Sequence, residues 1–172
     1  MITESQWASC KRLRKEQFQY PDKMQWSIVQ ALDTFADSIN KTPQILSDYR
    51  TPTANVATGG SGSSQHMQGV AADHYWQGVE PVWLWDKLIQ SRLFSGIGIY
   101  RNDKGAVSFH TDVRPTRSPE NPATWGQLIH GSTREPYVAA ASILSLLKKP
   151  TSIAIILLVA VIGYALWKAN QS

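Results

Sequence analysis

The alternation of side chains from Val107 to Arg114 constrains the fold of this chain more than any other feature of its sequence. Val107, Phe109, Thr111 and Val113 fall on one face of an extended segment, and Ser108, His110, Asp112 and Arg114 fall on the other. Such a strand turns its first face into a core and presents its second to polar chemistry. The run Gly96 to Tyr100 precedes it across Asn102-Asp103-Lys104-Gly105, residues suited to a hairpin turn. Keeping Ile97 and Ile99 on the Phe109 side requires an odd-length loop, Asp103-Lys104-Gly105, with Gly105 left-handed. That register sets Ile99 opposite Phe109, Tyr100 opposite Ser108 and Gly98 opposite His110, which predicts open space above the His110 ring.

The rest of the chain supplies helices to cover that core. Thr3-Glu4-Ser5-Gln6 has capping-box spacing, and Trp7, Cys10, Leu13 and Phe18 follow at helical intervals, so a first helix is predicted to about Phe18. Trp26, Ile28, Val29, Leu32, Phe35, Ala36 and Ile39 mark a second, ending near Asn40, and Pro81 to Leu93 a third. Ile45 to Tyr49 is β-prone, Thr58 to Ser64 is a loop of small residues, and Pro115 to Pro136 shows no periodicity. The expected fold class is α+β, a small antiparallel sheet with flanking helices, plus a C-terminal transmembrane helix. It divides into N-terminal helices (1–42), a core (43–115), a loop and linker helix (116–150) and the span (151–169).

The span is read from Ile153 to Trp167, 15 residues without a charge and apolar on every side. Arg134, Lys148 and Lys149 precede it and only Lys168 follows, which places the domain on the cytoplasmic side. Met1 to Lys11 lacks the apolar stretch of a secretory signal. With 17 Lys and Arg against 13 Asp and Glu, the net charge of +4 is too small for a nucleic-acid binder. A single cysteine, Cys10, excludes an intrachain disulfide and a cysteine-based metal knuckle.

Chemistry concentrates in Ser64-Gln65-His66-Met67-Gln68-Gly69-Val70-Ala71-Ala72-Asp73 and in His110-Thr111-Asp112. Two imidazoles and a carboxylate, His66, His110 and Asp73, make an open zinc site with a fourth position for water. The alternative is that each histidine is a hydrogen-bonded core residue. His66 and Asp73 converge on one ion only if the chain turns between them, and Gly69 is placed to make that turn. His74 and His130 are read as structural or solvated. Trp76, Trp83 and Trp85 are read as core rather than sugar-stacking residues.

The pattern S-x-H-x-x-G-x-A-x-D formed by Ser64, His66, Gly69, Ala71 and Asp73 is followed by Gly96, Gly98 and Tyr100, then by Phe109, His110, Asp112 and Arg114. Together they resemble the zinc D-Ala-D-Ala carboxypeptidase family, the hedgehog-like (LAS-type) metallopeptidases that include phage peptidoglycan endopeptidases. The resemblance implies that His66, Asp73 and His110 hold zinc and that Arg50, Ser64 and Tyr100 contact substrate. Many relatives carry a glutamate or a second histidine just before the last zinc ligand, where this chain has Val107 and Ser108. Asp112, two residues beyond His110 on the same face, is the candidate general base, or else it orients a ligand histidine. The expected protein is therefore a membrane-anchored zinc peptidase cutting an amide bond in peptidoglycan stem peptides. It would be phage-encoded, act in a virion membrane or the bacterial inner membrane, and have the lipid bilayer and virion proteins as partners. The alternative is a catalytically silent cell-wall-binding or virion structural protein of the same fold.

Overall fold

A computed structural model describes residues 1–131 and 133–148. Its strands are β1 (Gln44–Ser47), β2 (Ala71–Tyr75), β3 (Gly96–Asn102), β4 (Val107–Asp112), β5 (Ala123–His130) and β6 (Thr133–Arg134). They form one sheet in the order β1-β2-β4-β3-β5-β6. The hairpin β3–β4 has the register its side chains require: Ile99 faces Phe109, Gly98 faces His110 and Tyr100 faces Ser108. Gly105 closes the turn with φ +80°. On the other side of β4, β2 pairs antiparallel and sets Asp73 directly opposite His110.

The sheet is mixed rather than antiparallel, because β5 runs parallel to β3. Residues 116–150, expected as a loop and a linker helix, supply the strands β5 and β6 besides the helix α5 (Ala140–Leu147). α5 lies on the sheet: Ile143 is 1% exposed, and a Cβ at Gly126 would come within 2.5 Å of it. Strand pairing across a break in chain order leaves little local signature, which is why periodicity missed β5.

Ile97, Ile99, Phe109 and Ala72 project from the core face of the sheet. They pack with Ile28, Leu32 and Phe35 of α2 (Trp26–Ser38) and, beyond the short α3 (Pro52–Ala57) in the chain, with Leu84 and Leu88 of α4 (Pro81–Ser91). His74 is buried on this face. Trp76 Nε1 donates to its Nδ1 at 2.7 Å, its Nε2 donates to Thr111 Oγ1 at 3.1 Å, and burial pushes its pKa down to about 3. Trp76 and Trp85 are buried, whereas Trp83 is exposed.

The first helix is shorter than predicted. α1 spans Glu4–Ser9 and keeps its capping box, but Cys10 turns extended and a single turn of 3-10 helix at Lys15–Gln17 follows. The reason is tertiary. Asp33 of α2 accepts hydrogen bonds from the backbone N–H groups of Lys11, Arg12 and Leu13 at 2.9, 2.7 and 2.8 Å. A side chain distant in sequence thereby satisfies donors that a continuing helix would have bonded internally.

The tract 151–169, read above as a transmembrane helix, lies outside the described residues. Among the described residues no helix is long and apolar enough to cross a membrane.

Candidate metal centre

His66, Asp73 and His110 reach one point by three local devices. His66 sits on a turn of 3-10 helix, Gln65–Gln68, which Gly69 ends in the left-handed conformation at φ +67°. Any side chain at Gly69 would collide with the Lys23 carbonyl, since a Cβ there would lie 2.1 Å from that oxygen. The turn expected between His66 and Asp73 is thus present, and it delivers the chain into β2. Asp73 and His110 then become neighbours through the β2–β4 pairing.

The ligand atoms are close together and buried. His66 Nε2 lies 3.2 Å from Asp73 Oδ1 and 3.2 Å from His110 Nδ1, and His110 Nδ1 lies 2.8 Å from Asp73 Oδ1. Ligands 2.0–2.1 Å from a tetrahedral zinc ion stand about 3.3 Å apart. The outward nitrogens of both rings are committed elsewhere. His66 Nδ1 donates to the Asp48 carbonyl at 2.6 Å, and His110 Nε2 donates to Asp112 Oδ2 at 2.9 Å. With their outward nitrogens committed, both rings turn their inner nitrogens, together with a carboxylate oxygen, toward one point. A cation resolves that convergence, so the residues present fit zinc.

Without a metal, charge and shared protons hold the three groups together. Burial opposes ionisation of Asp73, but the charges and hydrogen bonds of His66 and His110 outweigh it and hold the carboxyl well below the usual carboxylate range. Burial likewise disfavours a charged His110, and hydrogen bonds to Asp112 and Asp73 more than compensate, raising its pKa.

A family model described as Peptidase M15 matches residues 4–111, which contain the whole triad. The chain belongs to the Peptidase M15 family. No curated protein matches it. M15 peptidases are zinc-dependent, and the buried His66-Asp73-His110 group could hold a metal ion.

Beside the triad of this M15 domain is a cleft of about 300 Å³ bordered by His66, His110, Arg50, Ser64 and Tyr100. All three residues that the resemblance assigned to substrate therefore line one cavity with two members of the triad. Arg50 is held by Ser47, to whose Oγ its Nε donates at 2.7 Å, and its Nη2 pairs with Asp73 Oδ2. Tyr100 is buried, and burial together with the nearby Asp73 charge raises its pKa, so the phenol stays neutral.

Asp112 does not border the cleft. It lies behind His110 with no exposure, and Arg114 donates to both of its oxygens. Burial disfavours its charge, but Arg114 and His110 outweigh that and keep it ionised far into acid. A carboxylate on the outward nitrogen of His110 is placed to fix ring and tautomer. Gly96 makes room for it, because a Cβ there would stand 2.4 Å from Asp112 Oδ2.

Open space above His110 is not what Gly98 provides. Trp125 of β5 occupies it, its ring centroid 5.1 Å from that of His110, and a Cβ on Gly98 would lie 2.6 Å from the indole. Trp125, Arg134 and Tyr137 complete the cleft wall, and none of them was expected at the site from the sequence. The Trp-x-Gln alternation within Ala123–His130 was the available signal, too short to stand out without its partner strand.

Proposed function

We propose that the protein is a zinc-dependent peptidase that hydrolyses an amide bond in peptidoglycan stem peptides. The observation that carries this reading is the buried triad, with both outward ring nitrogens committed, opening onto a cleft lined by guanidinium and aromatic groups. Zinc bound there supplies a Lewis acid for the scissile carbonyl and a water of near-neutral pKa. Asp48 and Asp112 fix the ring orientations of His66 and His110. Trp125 Nε1 points at the Tyr100 oxygen from 3.4 Å, which leaves the phenolic proton to be donated to a substrate oxygen. Ser64 and Arg50 offer polar contacts along the peptide.

One observation favours a second reading, a domain that binds cell-wall peptide without cutting it. Among the described residues no carboxylate borders the cleft. The two readings separate on incubating the zinc-loaded full chain with purified peptidoglycan. Hydrolysis releases new amino termini, chelation abolishes them, and returned zinc restores them. Release of free D-alanine marks carboxypeptidase action, and new termini without it mark endopeptidase action. Sedimentation with the wall but no new termini would establish the binding reading.

Anchoring through 151–169 and packaging in a phage particle extend this proposal. Retention in the membrane fraction through high-salt washing tests the first, because apolar insertion is not screened by salt. Presence in purified particles tests the second.

A further inference from the structure

Arg50, Arg114 and Arg134 all border the cleft beside His66 and His110. They differ in what answers their charge. Arg50 pairs with Asp73 and Arg114 with Asp112, so both cations already face a carboxylate of the protein. Arg134 faces no carboxylate among the described residues, and residues 149–172 contain no Asp or Glu.

The neighbours of Arg134 are neutral, and they hold it in place. Its Nη1 donates to Gln127 Oε1 at 3.1 Å, and its guanidinium carbon lies 5.6 Å from the Tyr100 ring centroid. Gln127 is 3% exposed, and its Nε2 donates to the Glu135 carbonyl at 2.8 Å, which leaves Oε1 to receive Arg134. A buried amide and an aromatic face thus fix a cation at the wall of a peptide-sized cleft, with most of its donors unspent among the described residues. A planar guanidinium so placed matches the two oxygens of a carboxylate.

We propose that Arg134 is a specificity-determining residue that binds a carboxylate of the peptide in the cleft, with Gln127 as its positioning residue. The proposal rests on the peptidase reading for the kind of ligand and goes beyond it in naming the charge the ligand carries. Arg134 lies beyond the segment that the family model matches, so it distinguishes this chain's cleft rather than the family's shared core. A terminal carboxylate and an acidic side chain present the same two oxygens.

The test uses the zinc-loaded full chain and three versions of one synthetic stem-type peptide: all carboxylates free, the C-terminus amidated, and the side-chain carboxylate amidated. Dissociation constants are read from tryptophan fluorescence, since Trp125 borders the cleft, and KM and kcat from cleavage. The wild type should bind the free acid about tenfold more tightly than one of the two amides, and which amide suffers names the source of the carboxylate. Arg134→Gln should bind all three alike and raise KM for the free acid about tenfold with kcat within about twofold. Gln127→Glu gives Arg134 an internal carboxylate and should erase the preference by a different route. Indifference of the wild type to amidation, or a preference that survives in Arg134→Gln or Gln127→Glu, overturns the proposal. Discrimination in binding without any cleavage would refute the peptidase reading and leave this inference supported.

Discussion

His110 turns Nε2 toward Asp112, 2.9 Å from Oδ2, and Nδ1 toward Asp73, 2.8 Å from Oδ1. The ring is therefore a bridge between the two carboxylates. If the metal binds at Nδ1, Asp112 acts on it only through the ring. Asp112→Ala is expected to weaken zinc binding by about 10–100-fold, measured by competition with a chromogenic chelator. Saturating zinc should restore most of the turnover. Activity that stays about 10²-fold down at full zinc occupancy would instead make Asp112 a proton acceptor in the reaction.

Gly98 and Trp125 pack face to face across the parallel pair β3–β5, and Trp125 in turn covers His110. Gly98→Ala should push the indole out of the cleft, at a cost of about 1–3 kcal/mol in stability. Peptide binding should weaken while zinc affinity stays unchanged, because no ligand atom moves. A denaturant titration and the fluorescence assay together check both halves.

α5 belongs to the folded domain through Ala140 and Ile143, which are 6% and 1% exposed. A chain ending after Lys148 should keep the stability of the domain, whereas one ending after Tyr137 should lose about 3 kcal/mol or more as that burial is removed. Midpoints of urea unfolding distinguish the two. Equal midpoints would show that α5 adds nothing to the core.

Cys10 is 6% exposed, and burial foremost, with help from the Asp33 charge, pushes its thiol up to about 11. The unfolded thiol ionises near its ordinary value and the folded one does not. Stability contributed by the neutral thiol is therefore full below about pH 9 and declines as pH rises toward 11. Thiol labelling at pH 8 should proceed no faster than unfolding. Rapid labelling of the native protein would contradict the burial of Cys10.

Much of the site was legible in the sequence because it is built from short-range rules. Alternation over Val107 to Arg114 and a turn needing a left-handed Gly105 fix the hairpin register. That register places Gly98 beside His110 before any other contact is known. The turn between His66 and Asp73 follows in the same way, since two ligands seven positions apart converge only if the chain bends, and Gly69 is the residue that bends without a clash.

Tertiary structure decided what depends on partners distant in sequence. α1 stops at Ser9 because Asp33, on another helix, takes the next backbone donors. β5 exists as a strand because it pairs with β3, and only that pairing brings Trp125 over His110 and Arg134 to the cleft. The sequence contained Asp112 and both of its roles, but its place behind the His110 ring rather than in the cleft needed the tertiary structure. Backbone periodicity decides the face on which a side chain lies; which nitrogen of an imidazole meets which carboxylate is set by packing around the ring, and packing is a property of the assembled chain.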